Sequence, residues 1–372
     1  MKKIISIFIL SIIVISCNNN DDEAPKSNYD RSALLTNWAN NIIVPSFVNY
    51  QSKLQVLVTD VTAFNTNANI SNLKSVRDSW LDAYKAYQYV SMFNIGKAEE
   101  LLIKETSNTY PTDVILIEQN LKSESYNLNI LTNKEAQRAT QGFPAIDYLI
   151  NGLASNDQDI VGFYTTNTNA IKYKKYLLVL ANQLKTISDK IVIDWNSGYK
   201  TSYIANNGTS VTSAVNETVN EFVKNLEKDI RTGKISNPAG IFSAGVVKPL
   251  IVEGFYKNDV SKILLTAALK ASQDFFNGKN FETNSTGESL KSYLDFLNSG
   301  GNQKLSDVIN NQFVPIFSSV NALNNSFSIQ VNTDNSKMLA TENALQQNVV
   351  YTKIDMMQAL NISRDYVDGD GD

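Results

Sequence analysis

The 372-residue chain contains no histidine. No imidazole is available as a general base near neutral pH, and neither a Ser-His-Asp triad nor an HExxH metal helix can be assembled from it. A zinc site would have to be built from carboxylates and water, against the nitrogen and sulfur preference of that ion. The single cysteine, Cys17, has no partner for a disulfide within the chain. Sixteen glycines and seven prolines are few for this length, which favours long uninterrupted helices over turn-rich β structure. Lysine and arginine form no cluster and the net charge is -4, so no nucleic-acid partner is expected.

What is present begins with an apolar run. Lys2 and Lys3 precede Ile4 to Ile15, which is too short to span a bilayer as a stable helix, and Ser16-Cys17 closes it. This segment, residues 1–17, resembles a bacterial lipoprotein signal peptide, with Val14 where Leu is usual. The resemblance implies that Cys17 becomes the lipidated first residue, with the membrane as its partner and no thiol left for catalysis. Residues 18–30 are polar and acidic without apolar periodicity, as expected of a disordered tether. Asp21, Asp22 and Glu23 resemble a surface-export signal of Bacteroidetes lipoproteins, which points to the outer membrane and its exposed face.

From Ser32 onward the apolar residues follow the three-and-four spacing of buried helix faces. Trp38, Ile42, Phe47, Tyr50, Leu54, Leu57, Val61 and Phe64 form one such stripe, in which Pro45 kinks the helix or marks its true start. A second helix is expected over about 72–93, a short one over 98–104, and another opened by Thr109 to Asp113, with Pro111 and Asp113 as start signals, running towards Leu121. Further helices are expected over 173–194 (closed by Trp195), 211–232, 257–278, 289–298, 305–324 and 335–352. A polar loop is expected over 197–210 and an irregular crossing over 235–249. No stretch alternates as a sheet would, so the fold class is all-α. Length suits two domains, placed at 31–165 and 166–372. The echo of Val44-Pro45-Ser46-Phe47 in Val314-Pro315-Ile316-Phe317 is compatible with two related bundles.

The most heavily punctuated stretch is Gln141 to Ile150, QGFPAIDYLI. It reads as a helix beginning at Pro144, whose missing N–H suits the first helical position, with Asp147 in the first turn facing the positive end of the dipole.

Together with VPSF (Val44 to Phe47), RDSW (Arg77 to Trp80), NIGKAEE (Asn94 to Glu100), YPTDV (Tyr110 to Val114), KISNPAG (Lys234 to Gly240) and VVKPLIVE (Val246 to Glu253), this stretch resembles the imelysin-like family grouped with the M75 peptidases. The likeness runs in order from about Arg31 to the end. It implies two helical domains, each around a four-helix bundle, displayed in the envelope and linked to iron acquisition, with metallopeptidase activity in some members. The family's G-x-H-x-x-E pattern falls on Gly142 to Asp147. Here Pro144 stands in the His place and Asp147 in the Glu place, so the metal-binding pair is not reproduced.

Each candidate residue carries two readings. Asp147 is a ligand-contacting acid or a helix-dipole acid. Arg77 and Trp80 line a polar pocket, or form a core tryptophan beside a salt-bridged arginine. Tyr110 and Asp113 belong to the family site, or Asp113 simply caps a helix. Glu253, between Val252 and Gly254-Phe255, is a buried paired acid or a surface one. The terminal Asp365 to Asp372 stops before an EF-hand loop could be completed, so a structural role is favoured over calcium. No cofactor is expected, and iron or another metal would enter as a ligand without histidine support. The leading functional expectation is a non-catalytic envelope lipoprotein that works with iron or haem uptake proteins. The alternatives are a metal-dependent M75-type peptidase and a surface nutrient-binding lipoprotein.

Overall fold

The three-and-four stripes fold as helices that bury them against one another. The computed structural model describes residues 28–366, apart from 130, 133, 134 and 302. The signal segment, Cys17, nearly all of the tether and the terminal 367–372 lie outside the described residues.

The N-terminal helices are α1 (Arg31–Asn37), α2 (Val44–Thr66), α3 (Ile70–Val90), α4 (Lys97–Glu100), α5 (Ile103–Asn108), α6 (Val114–Ser123), α7 (Gly142–Asp147), α8 (Asp157–Thr165) and α9 (Ala170–Asp194). The remainder are α10 (Lys200–Ala205), α11 (Ala214–Lys224), α12 (Asn237–Ala239), α13 (Ser261–Phe276), α14 (Leu290–Phe296), α15 (Leu305–Asn321), α16 (Phe327–Thr333), α17 (Asn335–Val350) and α18 (Met357–Ala359). The only strand-like feature among the described residues is one isolated bridge between Lys279 and Thr286. The all-α class is thus correct.

In α2 the buried residues Phe47, Tyr50, Leu54, Leu57, Val61 and Phe64 recur at intervals of three and four, and this face packs on α3 and α9. Pro45 sits in the first turn of α2, directly after a π-helical stretch Trp38–Ile43 through which the helix runs on from α1 without a break. In the C-terminal part α15 packs on α17, and α17 packs on a π-rich segment, Asn225–Ser236, that continues α11. Helix α13 joins the two groups, since it packs on α3 as well as on α15 and Asn225–Ser236. One continuous set of buried apolar side chains runs from Leu34 to Leu360. The position 165/166 falls between α8 and α9, which pack on each other.

Several boundaries differ from the sequence reading. The chain does not stop at Trp195: it passes through a π-turn (Trp195–Tyr199) into α10, so only part of 197–210 is loop. The 211–232 helix begins at Ala214, capped by Ser213, and extends to Ser236, four residues beyond the expected end and into the region read as irregular. Helices α8 and α16 lie in stretches for which no helix was expected. Each begins at a side-chain cap, Asn156 and Ser326 respectively, which accepts from the N–H three residues on. Both prolines of the V-P-x-F echo lie within helical runs, Pro45 after the π-helical stretch Trp38–Ile43 and Pro315 inside α15.

Candidate functional site

Helix α7 begins at Gly142, two residues before the proline, and this corrects the expected start. Gly142 has φ +76°, and a Cβ there would collide with the Ser107 carbonyl oxygen of α5. Glycine is therefore required by both backbone shape and close approach. Pro144 becomes the third helical residue, still within the first turn, where its missing N–H is one of the orphan donors in any case. Asp147 lies at the far end of α7, so it does not serve the N-terminal dipole.

Its partners come from elsewhere in the chain. Asp147 is 1% exposed. Its Oδ1 accepts from the Lys257 backbone N–H (2.9 Å) and Asn151 Nδ2 (2.9 Å), and its Oδ2 accepts from the Tyr256 N–H (2.9 Å). The carboxylate thus clamps the turn at 256–257 onto α7. Burial pushes its pKa up to about 7, with the three donors acting in the opposite direction.

Glu253, a few residues before that turn, is 2% exposed and fully partnered. Its Oε2 lies 2.5 Å from Lys234 Nζ, and its Oε1 accepts from Asn108 Nδ2 (2.8 Å) and Gln88 Nε2 (3.2 Å). The Glu253 carbonyl accepts from Ser261 Oγ at 2.7 Å. One acid therefore ties α3, α5, the Asn225–Ser236 segment and the start of α13 together. This is the buried, paired reading of Glu253.

Two cavities flank these acids. The first, about 380 Å³, is walled by Tyr87, Asn108, Tyr110, Lys228, Asp229 and Lys234 among others. The second, about 370 Å³, is walled by Pro144, Asp147, Val252 and Tyr256, with Tyr110, Pro111 and Ile251 common to both. In the first, Lys104 bridges Asp229 (2.9 Å) and Glu221 (3.1 Å). Burial works against the Lys104 charge, and those two acids outweigh it, so the ammonium is held above its usual range. The Tyr84, Tyr87 and Tyr110 phenols are all raised well above the ordinary value, first by burial and then by nearby acids that include Glu253.

The candidate residues thus divide. Pro144, Asp147, Tyr110 and Glu253 come together, with Gly142 allowing the close approach of α7. Arg77 does not join them: its Nε donates to the Ile150 carbonyl (3.0 Å) and its Nη1 pairs with Asp157 (2.8 Å), so it fastens α3 to the segments around α8. Trp80 is fully buried and donates to the Phe143 carbonyl at 3.1 Å. Asp113 caps α6 by accepting from the Leu116 N–H at 2.9 Å. Sequence reading missed Tyr87, Gln88, Asn108, Lys228 and Lys234 as site residues. A usable signal was present for Lys228, since Asn225, Lys228, Asp229 and Thr232 share one helical face with too much polarity for a core.

A metal does not fit the family position. Pro144 has no donor atom, both Asp147 oxygens already accept N–H groups, and among the described residues no group of three His, Cys, Asp or Glu side chains could hold an ion.

Fold and site together define an all-helical protein with two neighbouring cavities, the second mostly apolar, beside a pinned helix–turn contact. The imelysin model, Peptidase M75, matches residues 43–353, and the chain belongs to that family. Two solved structures share the fold. An imelysin-like protein from Psychrobacter arcticum 273-4 is 16% identical with a TM-score of 0.70, over 91% of this chain and 97% of its own. A candidate iron-regulated protein A precursor from Parabacteroides distasonis ATCC 8503 is 14% identical with a TM-score of 0.72, over 88% and 95%. No curated protein matches the chain significantly in sequence.

Proposed function

We propose that this chain is a non-catalytic, lipid-anchored binding protein of the bacterial envelope that assists iron or haem acquisition. The observation that carries the reading is the exchange at the family's metal position. Pro144 stands in the histidine place, and Asp147 is spent on the 256–257 backbone, while a cavity of about 380 Å³ with polar walls lies beside Glu253 and Tyr110. That volume lies within the range of small-molecule sites. A scaffold that has such a cavity without a metal-ligand pair is suited to holding a ligand rather than activating water. The Parabacteroides structure's description as a candidate iron-regulated protein supports the link to iron. In this reading Cys17, at the end of the lipoprotein-like segment, is the lipid anchor, and the outer membrane is the site of action.

The test is uptake of labelled iron and of haem by a strain lacking the gene, grown under iron limitation. The reading expects a deficit restored by the wild-type copy. Unchanged uptake, together with expression indifferent to iron, would overturn it.

A further inference from the structure

The first cavity has more hydrogen-bond donors than its own walls use. Lys104 is satisfied by Asp229 and Glu221, and Lys234 by Glu253. Lys228, half-buried in the same wall, has no ion-pair or hydrogen-bond partner among the described residues. Two phenols also line the cavity without a hydrogen-bond partner among the described residues: Tyr87, only 2% exposed, and Tyr110. The Tyr110 hydroxyl is located by Gly233, on which an added Cβ would sit 3.1 Å from it. Facing one space, these groups present a positive charge and two hydroxyl donors together, the complement of an anionic acceptor.

The remaining walls set the rest of that occupant's chemistry. Ile230, Ile251 and Pro111 give the cavity an apolar side. The acids near the cavity are already engaged by lysines, and among the described residues Lys228 is the one lining cation they leave over. A single unengaged ammonium matches one negative charge, and an apolar side matches a carbon body. Burial keeps both phenols protonated and therefore donating.

From this we infer that the cavity binds a small organic monocarboxylate, its carboxylate held by the Lys228 ammonium and the Tyr87 and Tyr110 hydroxyls, and its carbon body against Ile230, Ile251 and Pro111. The inference rests on the binding reading above and specifies its ligand class.

Isothermal titration of the full chain, purified in detergent, with pyruvate, benzoate and 4-hydroxybenzoate tests it, with benzamide and inorganic phosphate as comparisons. At least one carboxylate binds, benzamide does not, and Lys228→Met weakens binding about 10-fold or more, the usual scale of a lost charged hydrogen bond. Tyr110→Phe, which removes one oxygen, weakens it by a smaller factor. Lys228 has no partner to lose, so its substitution leaves the thermal midpoint in place. No binding of any carboxylate at about 10 mM, equal binding of benzamide and benzoate, binding of phosphate alone, or undiminished affinity in Lys228→Met would each overturn the assignment. The two readings separate in cells. Absence of carboxylate binding in titration, with the uptake deficit present, removes the carboxylate assignment and leaves the iron reading intact, whereas absence of any deficit removes the iron reading itself.

Discussion

Lys234 Nζ and Glu253 Oε2 form a 2.5 Å ion pair in which both side chains are almost completely buried. Because Glu253 also takes amide donors from α3 and α5, the pair works as a junction between segments distant in the chain. Its integrity shapes the first cavity without putting a reactive group into it. Glu253→Gln leaves a buried ammonium unpaired and turns an amide N–H₂ towards other donors. Urea unfolding should show a loss of about 3–5 kcal/mol, with the Glu253→Gln/Lys234→Met double variant recovering part of it. A loss confined to a few tenths would mean that the junction is not formed.

Asp147 gives a stability profile opposite in sign to that of an ordinary salt-bridged acid. Burial pushes its folded pKa up to about 7, above the unfolded value, so the folded chain holds that proton more tightly. Its contribution is fully present below about pH 4 and declines as pH rises towards 7. Asp147→Asn removes this slope. The variant also opposes the Tyr256 N–H with an amide N–H₂ and should lose about 1–3 kcal/mol at pH 5, with a smaller gap at pH 8. Denaturant titrations of both proteins across pH 4–8 measure the two curves, and parallel curves would contradict the assignment.

Gly142→Ala meets two obstacles at once, the positive φ and the Ser107 carbonyl. A thermal midpoint lowered by the equivalent of about 1–3 kcal/mol or more is expected. An unchanged midpoint would show that α7 does not approach α5 as described.

Arg77 separates scaffold from site. Arg77→Met removes the bond to the Ile150 carbonyl and the pair with Asp157, and should cost about 1–3 kcal/mol in denaturant unfolding. Carboxylate binding in the first cavity should be untouched in the folded variant. A binding defect without a stability defect would return Arg77 to the site.

Helix existence was legible wherever an apolar stripe persisted. Phe47 to Phe64 in α2, Leu73 to Val90 in α3 and Tyr173 to Ile191 in α9 are buried at the spacing the sequence displays. Short helices such as α8, α10 and α16 offer one or two turns of pattern, too little for periodicity to register. The meeting of Tyr110, Asp147 and Glu253 was partly visible, because each stands in a punctuated motif. Their partners were not. That Asp147 holds the 256–257 backbone, and that Glu253 meets Lys234, Gln88 and Asn108, are long-range facts fixed by packing. Arg77 and Asp113 read equally well as site or scaffold in one dimension, and only their partners, Asp157 and the Leu116 N–H, distinguish the two.

The central claim, that the scaffold binds without metal-dependent hydrolysis, is tested most directly by incubating the purified full chain with denatured casein, with added zinc and with a chelator. The account predicts no cleavage above the buffer control in either condition. Chelator-sensitive cleavage that disappears in Asp147→Asn would contradict it.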